Sequence, residues 1–440
     1  MPYPAIADSL APKAFALWEA LHAAAAEGDA KAAKAALDAG ANPLLAHSTP
    51  DVGRVEDPEL TPLAVAARHG RADCVALLAP LGGLDLYSRM DMTPLMYAAA
   101  SGHADCVAIL APISDTADTN VFNLTPLMIA AECGHPECVS LLLPFSDPRA
   151  TNGYGSAPLA LAAINGHLEC VRALAPVSDA KAVDNGGCNA LMDAAIEGHS
   201  ECVEFLLPLV DANARSNAEN SAPDRPGFDG QTALMHAVDN DQGECVKILL
   251  AATDASLQDI HGRTALMRAA RDGRVGLFDL LLPATDANIQ DANGHTALSL
   301  AIVCGDVAAV ELLLPHSDSR LAAGNHPDLF SFALASACGD DKVFDNAVGL
   351  RSSGWPVVDA LSRLATDAQV EEVEKRRPAE LIEKTPICRA RFEAIQLRRE
   401  AGVRRRASAG SCLSLEGSDS PLGDKEPFSD SAPVRPAPRL

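Results

Sequence analysis

The stretch TPLMYAAASGHADCVAILAP, residues 93–112, returns as TPLMIAAECGHPECVSLLLP, residues 125–144. The two copies begin 32 residues apart, and the leucine of each opening T-P-L marks a longer series. That series runs Leu63, Leu95, Leu127, Leu159 and Leu191, then Leu234, Leu266 and Leu298. Self-similarity at a fixed period near 30 residues predicts a solenoid, in which each unit buries its apolar face against its neighbours.

A glycine lies seven residues after almost every leucine of this series. The glycines are Gly70, Gly102, Gly134, Gly166, Gly198, Gly273 and Gly305. The copy that starts at Leu234 is the exception, with Asp241 in that place. Weaker copies around Leu21 and Phe332 extend the array at both ends, so we expect about nine to ten repeats.

Each unit is predicted to form two short helices. Threonine supplies a side-chain oxygen for the free N–H groups of a helix start, and proline at the first helical position loses no hydrogen bond. Glycine then ends the first helix, because it adopts a positive φ at the least cost. A second helix follows up to Pro112 and its counterparts, where proline prevents continuation. The sequence therefore predicts an all-α repeat solenoid whose units are joined by turns rich in Ser, Asp and Asn.

These motifs resemble the ankyrin repeat family, whose unit is a β-turn plus two helices opening with T-P-L-H-x-A. The T-P-L opening occurs at residues 61–63, 93–95 and 125–127. Four Gly-His pairs begin at positions 102, 134, 166 and 198, and turns of the pattern D-x-x-G begin at Asp184, Asp259 and Asp291. Methionine replaces the family's usual histidine of the opening motif in five copies. The resemblance covers roughly residues 15 to 350 and implies stacked helix pairs with protruding turn tips.

Charge is distributed unevenly along the chain. The formal net charge is −24, made up of −26 over residues 1–370, +4 over 371–406 and −2 over 407–440. An acidic repeat body repels phosphate backbones, so we expect no nucleic-acid partner. The sequence has no run of 18 apolar residues that could span a membrane, and its N-terminal stretch lacks the basic residues of a secretory signal. We therefore expect a cytoplasmic protein with no membrane partner.

Cysteine and histidine recur at fixed repeat positions. Six of the 12 cysteines occupy one position of the second helix, where a small buried residue is expected. The spacing His-x-x-Cys in four copies raises a metal hypothesis, but two ligands per repeat do not complete a zinc shell. We therefore predict no metal, no cofactor and no catalytic residues, since the common nucleophile, phosphate-loop and metalloprotease motifs are absent from the sequence.

The domain organisation follows from these patterns. We predict an N-terminal segment over residues 1–14, the solenoid over 15–356, a helical segment over 357–406 that caps the repeats, and a disordered tail over 407–440. Long spacings before Leu63 and Leu234 indicate two inserted loops, either tolerated surface loops or partner-specific arms. The basic amphipathic stretch 379–400 has three alternatives: docking on the acidic body, a calmodulin-like or membrane-surface contact, or a solvated helix. Ser408 and Ser420 are candidate phosphorylation sites.

At two series of positions the residue type varies from repeat to repeat, and these positions are candidates for partner binding. The first series, the turn tips, lies three residues before each Thr position, and the second, the inner-face series, lies two residues after each leucine. Both are apolar or aromatic in the third to fifth repeats and polar afterwards. The candidate partner-binding residues are Met90, Tyr97, Phe122, Ile129, Tyr154 and Leu161. The alternative is that the inner-face residues are packed between helices.

The function that these features favour is a monomeric, non-catalytic scaffold that grips a protein partner in a concave groove, as the resemblance implies. A second hypothesis is an adaptor or regulatory subunit that recruits a ligase or kinase through its C-terminal helices. A third is an enzyme whose chemistry the motifs do not reveal.

Overall fold

A computed structural model describes residues 12–46, 60–86, 88, 90–216 and 230–322, together with 332–333, 337, 355–361, 390, 392–394 and 396–397. Both predicted inserts lie largely outside these ranges. The same holds for most of the stretch 379–400 and for the tail 407–440 with Ser408 and Ser420. Asp229, the turn tip of the seventh repeat, also lies outside the described residues.

The described chain consists of short helices in pairs joined by turns, and these residues form no β-strand. In chain order the helices are α1 (Pro12–Glu27), α2 (Ala30–Asp38), α3 (Pro62–Arg68), α4 (Ala72–Leu78), α5 (Pro94–Ala100), α6 (Ala104–Leu110), α7 (Pro126–Glu132), α8 (Pro136–Leu142), α9 (Pro158–Ile164), α10 (Leu168–Leu174), α11 (Ala190–Glu197), α12 (Ser200–Leu206), α13 (Ala233–Asp239), α14 (Gly243–Leu250), α15 (Ala265–Asp272), α16 (Phe278–Leu281), α17 (Ala297–Cys304), α18 (Val307–Leu313), α19 (Ser319–Ala322) and α20 (Trp355–Leu361). The pairs α1–α2 to α17–α18 form nine repeats within the described residues. The predicted all-α repeat solenoid is confirmed.

Threonine begins the first helix of most repeats, as its sequence position predicts. Thr93 Oγ1 accepts a hydrogen bond from the backbone N–H of Met96 at 3.3 Å, and Thr125 Oγ1 accepts one from Met128 at the same distance. Asn189 makes the equivalent bond in the sixth repeat. The fifth repeat has Ala157 there and no side-chain cap. Each such cap contributes about 1 kcal/mol to a helix start.

Packing runs along two parallel rows of helices. The first helix of each repeat packs on the first helices of its neighbours, as α7 does on α5 and α9, and second helices pack on second helices in the same way. Paired alanines in the first row, such as Ala98 and Ala99, are completely buried and let neighbouring backbones approach closely. The core is therefore continuous from repeat to repeat, which is how short helices without a core of their own become stable.

The recurring cysteines lie inside the second row, as predicted. Cys106, Cys138 and Cys170 are buried free thiols, and burial raises the pKa of each to about 11. A thiol with so high a pKa stays protonated at neutral pH, so these side chains act as small apolar residues.

The histidines of the Gly-His pairs connect successive repeats, a role that the spacing alone did not reveal. His135 Nε2 donates to the carbonyl oxygen of Ala100 at 3.1 Å, and His167 Nε2 donates to that of Glu132 at 3.0 Å. His103 and His199 repeat the bond one unit earlier and one unit later. Each bond reaches a carbonyl near the end of the preceding first helix, where carbonyl groups have no partner within the helix itself.

Two compact units divide the chain, Met1–Val358 and Asp359–Leu440. The first unit contains the nine repeats and α19. Helix α20 begins near the end of that unit, and Val357, Val358 and Leu361 on it are buried. None of the helices in the described ranges is both long and apolar enough to cross a membrane.

Candidate functional site

The turn tips are held by side chains two residues upstream. Asn152 Oδ1 accepts hydrogen bonds from the backbone N–H groups of Tyr154 and Ser156, both at 2.9 Å. Asn120 does the same for Phe122 and Leu124, at 3.0 Å. Asp184, Asp259 and Asp291 serve later repeats. A polar side chain that accepts two backbone hydrogens fixes the turn, so each tip residue is presented in a defined orientation.

Neighbouring tips are also joined by backbone hydrogen bonds. Asn185 N–H donates to the carbonyl oxygen of Tyr154 at 3.0 Å, and Val121 N–H donates to that of Met90 at 3.3 Å. Backbone hydrogen bonds therefore join the tips of the third and fourth repeats and those of the fifth and sixth repeats. Among these tips Phe122 is 54% exposed, Tyr154 63% and Met90 41%.

The inner-face series lies deeper than the tips. Tyr97 and Ile129 are buried, and the Tyr97 hydroxyl donates to Ser88 Oγ at 3.0 Å, supporting the turn of its own repeat. Both side chains therefore have almost no surface to offer a partner. Leu161 is also buried, but it lines a pocket and so remains next to accessible space.

This pocket has a volume of about 460 Å³ and brings together residues of the fourth, fifth and sixth repeats. Its size falls within the roughly 300–1,000 Å³ range of pockets that hold small ligands. Two tip aromatics line it, together with apolar side chains and four carboxyl groups, one from the fourth repeat and three from the sixth. The aromatics are Phe122 and Tyr154, the apolar side chains are Leu124, Leu161, Ile164 and Ile196, and the carboxyl groups are those of Glu132, Asp184, Asp193 and Glu197.

Asp193 is the unusual member of this lining. It is the inner-face residue of the sixth repeat, on α11, where other repeats carry Val, Tyr, Ile or Leu. It is only 6% exposed, and its Oδ2 has no hydrogen-bond partner within the part of the chain that the structure describes. Burial, with additional repulsion from Asp184 and Glu197, raises the pKa of its carboxyl well above the ordinary value. Asp193 is the one acid of the inner-face series, which was the signal in the sequence, but its lack of a partner was not visible there.

The polar residues that follow in the same series have a different character. Arg268 is buried in the eighth repeat, where its guanidinium pairs with Asp239 and with Asp259, the latter at 2.7 Å. His236, in the seventh repeat, has its pKa lowered to about 3 by burial and by the Arg268 charge. His236 is therefore neutral, and Arg268 is neutralised by carboxylates, so Asp193 differs from both in having an unpartnered oxygen.

Metal chemistry finds no support in the repeat body. No group of three or more His, Cys, Asp or Glu residues is arranged to hold a metal ion in the described ranges. The His-x-x-Cys histidines direct Nε2 at backbone carbonyls, and their cysteines are buried protonated thiols.

Helix pairs stacked in two rows and joined by hydrogen-bonded turns define a helical repeat protein. The sequence matches the family described as ankyrin repeats (three copies) over residues 21–123, 80–152, 113–178, 127–220, 209–291 and 234–323. The chain belongs to the ankyrin repeat family, and ankyrin repeats are in general modules for protein–protein interaction.

Among solved structures, the human ASB11 ankyrin repeat domain is similar, with 24% identity and a TM-score of 0.44, covering 52% of this chain and 99% of that one. The ankyrin repeat domain of Bcl-3, described as a unique member of the IkappaB protein family, has 25% identity and a TM-score of 0.44, covering 51% and 98%. No curated protein matches the sequence significantly.

Proposed function

We propose that this protein is a non-catalytic scaffold that binds a partner protein through the tips of its third to fifth repeats and the pocket beside them. The observation that carries the proposal is the exposure of Phe122 and Tyr154 on hydrogen-bonded turns that line that pocket. Aromatic residues are only 4% of the chain, so two exposed aromatics on adjacent tips are an unusual concentration. Exposed apolar patches of this kind mark interaction sites.

The contact surface that we propose contains four of the six candidate residues. Met90, Phe122 and Tyr154 supply exposed side chains, and Leu161 supplies the pocket wall. Tyr97 and Ile129 contribute indirectly, because their packing holds the turns and first helices in place. The pocket gives the partner a place to insert a side chain, and such insertions commonly concentrate binding energy.

A comparison of captured partners tests the proposal. Full-length protein and the double variant Phe122→Ala/Tyr154→Ala are used as bait under the same conditions, and the bound proteins are identified by mass spectrometry. We expect a partner that the original protein captures and the double variant loses. Asn293→Ala, at the corresponding tip of the polar ninth repeat, is the matched control and is expected to keep the partner. Equal capture by all three proteins would place the binding surface elsewhere.

A further inference from the structure

The pocket contains a buried carboxyl group that no side chain of the described residues neutralises. Asp193 Oδ2 is inaccessible to water and has no hydrogen-bond partner there. A buried acceptor without a partner costs about 1–3 kcal/mol, and such groups are rare in native proteins. The series position accepts leucine at Leu161 and Leu300, so the carboxyl is not needed to build the repeat.

The charges around Asp193 are all of one sign. Glu132, Asp184 and Glu197 line the same pocket, and none of its described lining residues is basic. Helix α9 contributes the uncharged Leu161 and Ile164, and α13 carries the neutral His236, whose Nε2 lies 4.0 Å from Cys188 Sγ of the lining. A cation entering the pocket is therefore attracted by the carboxylates of Glu132, Asp184 and Glu197, favours ionisation of Asp193, and meets no repulsion from a lining residue.

The other lining residues favour a long basic side chain with an apolar stem. Leu161, Ile164 and Ile196 provide apolar walls for methylene groups, while Phe122 and Tyr154 offer aromatic rings to a flat cation. A guanidinium is planar, weakly hydrated and able to bind a carboxylate with two parallel hydrogen bonds, which suits a partly dehydrated site better than an ammonium. A metal ion would require more ligands than the arrangement supplies.

We infer that this pocket receives an arginine side chain of the partner protein, with its guanidinium paired to Asp193. The inference rests on the proposed function and adds the chemistry of the partner: an arginine flanked by apolar residues that contact the aromatic tips. Glu197 and Asp184 attract the guanidinium into the pocket, and a rotation of the Asp193 carboxyl towards it gives Oδ2 its missing partner. Binding is then both electrostatic, through the carboxylates, and apolar, through the tips.

Arginine amide and its neutral isostere citrulline amide are suitable probes, and the full-length protein is labelled at its isoleucine methyl groups. Ile164 and Ile196 line the pocket and report its occupancy by NMR. With arginine amide we expect saturable shifts at these two methyl groups and a dissociation constant in the millimolar range. Citrulline amide should produce none, because it lacks the charge. Absence of saturable shifts with arginine amide, or equal shifts with citrulline amide, would overturn the inference.

Two variants test the role of the carboxylates. Asp193→Asn keeps the size of the side chain and should weaken arginine amide binding at least tenfold, since a buried charge pair is removed. Glu197→Gln, at an exposed position of the lining, provides a second variant if the first does not fold, and should weaken binding at least threefold. Glu201→Gln removes the same charge from the exposed surface of α12 and should leave binding unchanged. Unaltered binding by Asp193→Asn or by Glu197→Gln would contradict the inference.

The two proposals fail in different ways. If Asp193→Asn keeps a partner that Phe122→Ala/Tyr154→Ala loses, the tips bind the partner and the arginine inference is wrong. If the tip variants have no effect on capture but arginine amide still binds in an Asp193-dependent manner, the pocket is a basic-ligand site and the proposed tip surface is wrong.

Discussion

Gly134 and His167, one repeat apart, are in such close contact that a Cβ atom on Gly134 would lie 2.5 Å from the imidazole ring. The ring has no freedom to retreat, because its Nε2 donates to the Glu132 carbonyl oxygen. Gly134 thus has two functions: it ends its helix with a positive φ of 79°, and it leaves space for the histidine of the next repeat. The same relationship joins Gly102 to His135 and Gly166 to His199.

Gly134→Ala should destabilise the solenoid by at least about 2 kcal/mol, combining the left-handed backbone strain of a non-glycine residue with loss of the histidine bond. Urea unfolding measures the change. Gly276→Ala is the control, because its Cβ would meet nothing within 4 Å and its φ is not positive. The steric part should disappear when Gly134→Ala is made together with His167→Ala. An equal effect of Gly134→Ala and Gly276→Ala on the free energy of unfolding would show that the contact has no energetic role.

Asp241→Gly should stabilise the protein by about 1 kcal/mol, because Asp241 occupies the left-handed position that glycine fills in other repeats, with φ of 60°. Its ion pair with Arg274, at 3.9 Å between largely exposed groups, contributes little. Asn240→Gly is the matched control. Asn240 has φ of −95°, so glycine there should destabilise the protein.

Hydrogen exchange locates the effect of Asp241→Gly. We expect α13 and α14 to open earlier than α7 to α10 in the unmodified protein, and the difference to shrink in Asp241→Gly. A lower free energy of unfolding for Asp241→Gly than for the unmodified protein would refute the strain interpretation.

The stability gained by Asp193→Asn should depend on pH. The carboxyl of Asp193 has a raised pKa in the folded state, so folding favours its protonated form. Below the ordinary aspartate pKa of about 3.9 both states are protonated and there is no penalty. As pH rises above that value, the unfolded state ionises first and the unmodified protein loses stability, whereas asparagine does not titrate. We expect Asp193→Asn to be more stable by about 1–3 kcal/mol at pH 8 and nearly equal at pH 4.

Urea unfolding at several pH values measures this difference, with Glu201→Gln as the charge-matched control. The groups that face Asp193 are Asp184, Glu197, Glu132 and the neutral His236, and the substitution leaves all four in place. A stability difference between Asp193→Asn and the unmodified protein that stays constant from pH 4 to pH 8 would contradict the prediction.

Phe122→Ala and Tyr154→Ala should each weaken partner binding about thirtyfold, since truncation of an aromatic anchor costs about 2 kcal/mol. Both side chains are more than half exposed, so the melting temperature should hardly change. Titration calorimetry with the captured partner and thermal unfolding give the two quantities. A large fall in melting temperature for Phe122→Ala would indicate that the tip is packed and does not act as an anchor.

The fold of this protein was predictable because the information is local and repeated. Thr93, Pro94 and Gly102 mark the first helix of a pair, Pro112 marks the end of the second, and the 32-residue period requires such pairs to stack. The positive φ at Asp241 was also predictable, since the repeat register places it where glycine is expected. The predicted partner series included the exposed tips Phe122 and Tyr154, because turn geometry places such residues outside the helices.

The surface available for binding was decided by contacts between repeats, which no single repeat contains. Tyr97 and Ile129 have the same sequence signature as Leu161, yet only Leu161 lines the pocket, because depth depends on the neighbouring turns. Asp193 and Arg268 are both polar residues of one series. Arg268 finds carboxylates in the repeat before it and in its own turn, whereas Asp193 has apolar walls and like charges around it. Burial and electrostatics are sums over neighbours from distant parts of the chain, so the character of the pocket emerges only when the repeats are stacked.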